Sequence, residues 1–292
     1  LKYSILLIII PILFFSCKKN DNNAPFDPAA QALIDDELLI DFLQTHYYKA
    51  PENNEPFGAV DTIMNNETPL FNQVEIENVT QDNIDYKLYY LIVDEGINET
   101  PTRYDSVFVK FRGFTLDSIK FDENVNFLTA KGWQNMAGGI SGGVVNSGVI
   151  QGWKYGVPHY KSGTNTTLPG DPITFENTGK GLLFIPSGLG FGIQNRPGIP
   201  PNSPVYFHIE LAKVVRADND DDGVINRLED LNGDGEVVDD DTDKDGIPDF
   251  VDTDDDGDGV LTKNEDANDD GDPTNDDTDD DGTPDYLDPD TN

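Results

Sequence analysis

The 292-residue chain carries 56 acidic against 19 basic side chains, a formal net charge of −37, and its length exceeds the needs of one small domain. The charge is uneven: residues 218–292 hold 32 acids against Arg227, Lys244 and Lys263, leaving −8 for everything before them. Such a segment repels nucleic acid and anionic lipid headgroups, and it becomes compact only when cations neutralise it, so nucleic-acid binding is excluded and cation binding is the question it poses.

In chain order, the amino terminus supplies Lys2, an apolar run over residues 5–15, and then Ser16-Cys17-Lys18-Lys19-Asn20. That run falls short of the roughly 20 residues a membrane-spanning helix needs, but it suits the apolar core of an export signal. Cys17 is the single cysteine, and a small residue precedes it. The segment resembles a bacterial lipobox, which implies a signal over residues 1–16 and a diacylated Cys17 at the start of the mature protein. An ordinary secretory signal with a bystander cysteine is the alternative. One cysteine permits no intramolecular disulfide, so stability has to come from core packing and metal.

Residues 17–26 read as a polar tether. Asp27-Pro28 is a helix start, an N-cap acid followed by proline at the first helical position. Leu33, Ile34, Leu38, Phe42 and Leu43 then recur at helical spacing to about Tyr48, predicting an amphipathic helix that packs on the next domain. Residues 50–81 read as loops with one short strand. From Tyr86 the pattern turns to β: Tyr89-Tyr90-Leu91-Ile92-Val93, residues 106–111, Ser118-Ile119-Lys120-Phe121, residues 181–185, and residues 205–211 with alternating Val205, Phe207, Ile209 and Leu211. One short helix, residues 152–160, interrupts them. The expected fold of residues 86–216 is α+β, a curved antiparallel sheet with one short helix on a face.

Five segments in order, Val109-Lys110-Phe111-Arg112-Gly113, Phe121-Asp122, Val149-Ile150-Gln151-Gly152-Trp153, Phe184-Ile185-Pro186-Ser187-Gly188-Leu189-Gly190-Phe191-Gly192 and Pro197-Gly198-Ile199-Pro200-Pro201, resemble the successive motifs of FKBP-type peptidyl-prolyl isomerases. The resemblance implies an apolar cup between sheet and helix that needs no cofactor for isomerisation and acts on proline-containing polypeptides. It places Trp153 at the floor, Val149 and Ile150 at the side, Phe121 and Phe207 as aromatic walls, Asp122 as a buried wall carboxylate and Ile199 on the rim loop. Phe111 and Phe191 stand where the family usually has tyrosines, so two hydroxyl donors are missing. Segments 123–148 and 164–180 are insertions that read as surface loops reshaping the mouth of the cup. His46, His159 and His208 lie in separate contexts without a nucleophile elbow or a His-Glu-x-x-His spacing, which sets hydrolytic chemistry aside.

The acidic tail repeats. Loops starting at Asp218, Asp230, Asp241, Asp254, Asp266 and Asp277 place oxygens at alternate positions before a glycine, and the first three starts recur as the last three after 36 residues. The candidate ligands are Asp218, Asp220, Asp222 and Glu229; Asp230, Asn232 and Asp234; Asp241, Asp243, Asp245, Asp249 and Asp252; Asp254, Asp256, Asp258 and Glu265; Asp266, Asn268 and Asp270; and Asp277, Asp279, Asp281, Asp285 and Asp288. Oxygens so spaced around a turn-permitting glycine suit Ca²⁺, which takes six to eight ligands. The first and fourth loops match the EF-hand pattern, but their flanks lack apolar helices. Asp-Gly-Ile-Pro-Asp at 245–249 and Asp-Gly-Thr-Pro-Asp at 281–285 resemble thrombospondin type 3 repeats, which implies structural calcium held with little regular secondary structure. A disordered acidic tail is the alternative.

The expectation is a monomeric, lipid-anchored, extracytoplasmic prolyl isomerase on the outer membrane, with a calcium-loaded tail. The competing expectation is a non-catalytic surface module whose cup binds a peptide while the repeats act as a stiffened spacer or adhesive element.

Overall fold

The computed structural model describes residues 25–291 apart from 54, 128–129, 142–143 and 147. The proposed signal and Cys17 lie outside the described residues. Helix α1 (Pro28–Thr45) begins where the sequence expects: the Asp27 carboxylate accepts from the amides of Ala29 and Ala30, both at 3.1 Å. It ends before Tyr48, because His46–Lys49 form strand β1, which pairs with β2 (Ala59–Thr62).

Strands β3 (Glu75–Gln81), β4 (Ile84–Asp94), β5 (Ser106–Thr115), β6 (Lys120–Asn124) and β7 (Trp133–Asn135) follow. The hairpin β8 (Gly139–Ser141) and β9 (Val144–Asn146) precedes the short helix α2 (Gln151–Gly156). A second hairpin, β10 (Thr164–Asn165) and β11 (Phe175–Glu176), occupies the second insertion, and β12 (Gly179–Ile185) and β13 (Val205–Val215) complete the set. The main sheet is antiparallel and seven-stranded, ordered β3-β4-β12-β13-β5-β6, with β7 also pairing with β5. It starts earlier than the sequence suggests. The stretch read as loops with one short strand holds two, β2 and β3, and β3 pairs with β4 from Glu75↔Tyr90 to Gln81↔Ile84.

Both faces of this sheet are covered, which explains the unbroken apolar run Leu182-Leu183-Phe184-Ile185 in β12. Leu183, Ile185, Phe207 and Ile209 join one core with Trp153 and Val157. Leu182, Phe184 and Tyr206 face the other way, onto Leu39, Phe42 and Leu43 of α1. The helix packs as expected through Phe42 and Leu43, but the first half of its stripe differs. Leu33, Ile34 and Leu38 are 70%, 50% and 45% exposed, while Ala32, Asp35, Leu39, Phe42 and Leu43 are buried. The reason is Asp35, which reads as polar but accepts from the Ser187 amide at 2.7 Å and the Ser187 hydroxyl at 2.6 Å.

The tail contains only short 3₁₀ turns among its described residues, such as Asn226–Leu228, Asp249–Val251 and Asp285–Leu287. Gly223, Gly235, Gly246, Gly259, Gly271 and Gly282 all take positive φ between 89° and 104°, so each loop turns at the glycine the repeat supplies. The repeat is visible in hydrogen bonding too. Asp249 accepts from the amide and hydroxyl of Thr242, both at 2.8 Å, and 36 residues on Asp285 accepts from those of Thr278 at 2.7 and 2.6 Å.

Candidate active site and candidate cation sites

An aromatic-lined concavity of about 370 Å³ opens between β5, β6, β13 and α2. It is lined by Phe111, Phe121, Asp122, Val149, Ile150, Trp153, Phe191, Ile199 and Phe207, every cup residue named from the sequence, together with Gln134, Arg196 and Pro197. Strand register does much of the placing. Gly113 of β5 lies opposite Phe207 of β13 on one side and Asp122 of β6 on the other. A Cβ at Gly113 would stand 2.6 Å from the Phe121 ring and 2.7 Å from the Phe207 ring, so the glycine is what lets the two aromatic walls close over β5.

Trp153 enters from α2, whose Gly152 rests on Ile185, where a Cβ would meet side-chain carbon at 2.4 Å. The indole stands edge-on to Phe111 (5.2 Å between centroids, 83°) and to Phe207 (5.4 Å, 87°). Phe121 is edge-on to both Phe207 and Phe191, at 5.5 and 5.7 Å. Ring edges are positive and faces negative, so these T-shaped pairs hold the walls upright at about 0.5–1.5 kcal/mol each beyond area burial. The rim is a tight turn in which the Ile199 amide donates to the Arg196 carbonyl at 3.0 Å, with Gly198 at φ +82°. It delivers Ile199, 3% exposed, to the cup.

The carboxylate differs from expectation. Asp122 is not buried: its side chain is 44% exposed and ion-paired with Lys131, and it accepts from the Glu123 amide at 2.8 Å. The long segment after β6 brings Lys131 to this position, where its ammonium also lies 5.5 Å from the centre of the Phe111 ring. Sequence reasoning missed Gln134 and Arg196. Arg196 stacks on Phe191 at 4.8 Å and donates to Gln194 at 2.8 Å, and Gln134 donates to the Lys131 carbonyl at 2.8 Å. Both fall outside the apolar motifs that reveal the cup. The Trp153 indole N–H is buried with no acceptor among the described residues, a donor available to a ligand carbonyl.

The three histidines remain apart. His46 stacks on Phe42 at 4.0 Å and His159 on Tyr90 at 3.8 Å. His208 is buried among Phe57, Phe114 and Tyr206, and burial lowers its pKa to about 4.

In the tail, Asp218, Asp220 and Asp222 offer oxygens within 4.8 Å of one another, as do Asp241, Asp243 and Asp245, Asp254, Asp256 and Asp258, and Asp277, Asp279 and Asp281. These are positions 1, 3 and 5 of four of the six predicted loops. The second and fifth loops form no such group among the described residues, although Asp230 and Asp266 accept from the amides of Gly235 and Gly271 just as Asp218, Asp241 and Asp277 do from the glycines of their own turns. Glu229 and Glu265 are 1% and 4% exposed, and none of their carboxylate oxygens has a hydrogen-bond partner among the described residues. Burial first, then the neighbouring acids, pushes them up to about 10 and about 8. Oxygen-only donors, buried without partners and converging in loops, fit a hard cation.

The tail also touches the cup's support. Tyr104 donates to Asp230, Lys154 of α2 pairs with Glu236 at 3.5 Å, and Val237 and Phe250 pack on Ala137. Asn219 bridges Asn135 and the Gly138 carbonyl, both at 2.9 Å. Among the described residues no helix is long and apolar enough to cross a membrane.

Residues 98–212 match the family model for FKBP-type peptidyl-prolyl cis-trans isomerases, and residues 219–272 match a model described as BamM C-terminal. The chain is 31% identical over 130 residues to the FKBP-type peptidyl-prolyl cis-trans isomerase FkpA of Escherichia coli, covering 44% of this chain and 38% of that protein. It is 27% identical over 191 residues to a probable FkpA of Neisseria meningitidis, covering 63% and 57%. The chain thus spans less than two thirds of the length of either relative. The crystal structure of Escherichia coli FkpA aligns with a TM-score of 0.31 at 29% identity, covering 47% of this chain and 51% of that one.

Proposed function

We propose, from the premise that residues 98–212 form an FKBP-type peptidyl-prolyl isomerase domain, that the apolar cup accelerates rotation about X-Pro bonds of polypeptides. The observation carrying this reading is the joint placement of Trp153, Phe111, Phe121, Phe191 and Phe207 around one cavity large enough for a proline ring and its neighbours. Uncatalysed rotation faces a barrier of about 18–20 kcal/mol because twisting the C–N bond destroys amide resonance. The twisted state has a less polar carbonyl and a more basic nitrogen. A cup that strips water therefore favours it over the planar ground states, which is differential binding. A thousandfold gain needs about 4 kcal/mol. Trp153 supplies the floor for the ring, its free N–H is a donor for an adjacent carbonyl, and the aromatic walls exclude solvent.

Asp122 then acts at the mouth through its pair with Lys131. Calcium, when bound, supplies the charge neutralisation that lets the tail fold; Asp218, Asp220 and Asp222, and the corresponding triads at 241, 254 and 277, would hold it. The similarity of residues 219–272 to a BamM C-terminal segment supports a distinct tail module. The lipobox-like sequence at Cys17 supports a lipid-anchored, extracytoplasmic protein, placed by this reading on the outer membrane.

A second reading, peptide binding without catalysis, is favoured by one observation: Phe111 and Phe191 bring no hydroxyl to the cup. The two separate in cis-to-trans relaxation of a panel of X-Pro peptides with the full chain and its Trp153→Ala and Asp122→Ala variants. Isomerisation predicts acceleration by the wild type that falls at least tenfold in Trp153→Ala. No acceleration by folded wild type, with peptides still bound, establishes the binding module instead.

A further inference from the structure

Glu229, the twelfth residue of the first acidic loop, groups with Asp222 and with Asp255 from the following half of the tail, their oxygens all within 4.8 Å of one another. Asp218 and Asp220 form a separate group with Asp222, so Asp222 belongs to both. Asp255 occupies none of the loop positions that the spacing of the repeat singles out. Asp222, Glu229 and Asp255 are each 1% exposed. Both oxygens of Glu229, both of Asp255 and Oδ2 of Asp222 have no hydrogen-bond partner among the described residues, while Oδ1 of Asp222 accepts from the Val224 amide at 2.8 Å.

Five unpartnered carboxylate oxygens in one buried spot are a large desolvation cost unless something binds them. Oxygens less than 4.8 Å apart are what a central ion with 2.3–2.6 Å bonds imposes. An all-carboxylate donor set selects hard divalent ions over Zn²⁺ or Cu²⁺. The repeat shows why this group occurs at one junction. Advancing 36 residues carries Asp222 and Glu229 to Asp258 and Glu265, but carries Asp255 to Thr291.

We infer that Asp222, Glu229 and Asp255 form a divalent-cation site between the two halves of the tail, sharing Asp222 with the ion of the first loop. The inference rests on the calcium reading of the loops and adds a site to it. Its ion is a fastener: it ties a side chain of the first loop to one of the fourth across 33 residues of sequence. Loss of this ion separates the halves without emptying the loops at 241 and 277.

The test counts ions. The full chain, stripped with chelator and titrated with Ca²⁺ at neutral pH, is examined by native mass spectrometry beside Asp255→Asn, Glu229→Gln and the exposed control Asp221→Asn. Asp255→Asn is expected to bind one Ca²⁺ fewer than wild type, with Asp221→Asn unchanged. An unchanged count in a folded Asp255→Asn overturns the junction site alone, whereas a wild type that binds no Ca²⁺ overturns the calcium reading on which it rests. If the variants fail to fold, anomalous diffraction from wild-type crystals soaked in Tb³⁺ decides: a peak between the three carboxylates supports the site, and peaks confined to the loop triads reject it. Titration with Mg²⁺ or Mn²⁺ identifies the preferred ion by its midpoint.

Discussion

At the scale of single residues, the cup is a set of apolar side chains whose polar complement has been thinned. Restoring one hydroxyl tests how much that matters. Phe191 stands edge-on to Phe121 at 5.7 Å beside the rim, and Phe191→Tyr is expected to raise kcat/KM several-fold if the new hydroxyl meets a substrate carbonyl, about 1 kcal/mol in barrier; peptide relaxation measures it. His208 gives a different prediction. Its folded pKa, about 4, lies below the roughly 6.5 of an unfolded histidine, so the unfolded chain binds more protons between those values. Stability is therefore full above pH 6.5 and falls as the pH drops toward 4, by up to about 3 kcal/mol. In His208→Gln at saturating Ca²⁺, denaturant unfolding at pH 6.5 and 4.5 is expected to show a smaller acid loss than wild type. An identical loss would show that His208 is not the group responsible.

Elements show what a sequence can and cannot disclose. The strands at 106–115, 179–185 and 205–215 were legible because β-branched and aromatic residues run continuously between turn signals. The cup residues were legible because their motifs come in order. Strand Glu75–Gln81 was not, since its burial pattern is mostly exposed and its sequence is rich in Glu, Asn and Gln; only pairing with β4 makes it a strand. Phe42 and Leu43 of α1 were read correctly, but the first half of its buried face was misjudged because hydrophobicity alone favours Leu33, Ile34 and Leu38 over a stripe containing an aspartate. The burial of Asp122 was misjudged because nothing in the motif reveals the lysine that the following insertion carries to it. Asp35 now makes a prediction of its own. As a buried acceptor for two Ser187 donors, it ties α1 to the segment leading to Phe191, and charge-assisted bonds of this kind are worth about 1.5–3 kcal/mol. Asp35→Ala should cost about 3 kcal/mol in chemical denaturation. A cost below about 0.5 kcal/mol would mean that α1 does not depend on this anchor.

Across the whole molecule, the cup and the tail meet at α2. The residue after Trp153 is Lys154, only 3% exposed and paired with Glu236, and the next, Tyr155, lies 4.8 Å beneath the Arg103 guanidinium, which packs on Gly235 of the tail. Removing calcium from the first and third loops should release the second loop held between them and leave Lys154 buried without its partner. The expected result of adding chelator is a loss of ordered tail by near-ultraviolet circular dichroism, a lower melting temperature, and a severalfold decrease in isomerisation that returned Ca²⁺ reverses. Activity unchanged while the tail melts would show that α2 holds its position without Glu236.

Exchange spectroscopy on one sample distinguishes a cup that turns a prolyl bond from one that merely grips it. Cis and trans resonances of an X-Pro peptide are followed at equilibrium with a catalytic amount of the full chain, alongside the Trp153 indole N–H signal. The account predicts cis-trans exchange cross-peaks that appear only with the protein, disappear with Trp153→Ala, and accompany a shift of the indole resonance. An indole shift without exchange would contradict it and leave a peptide-binding cup.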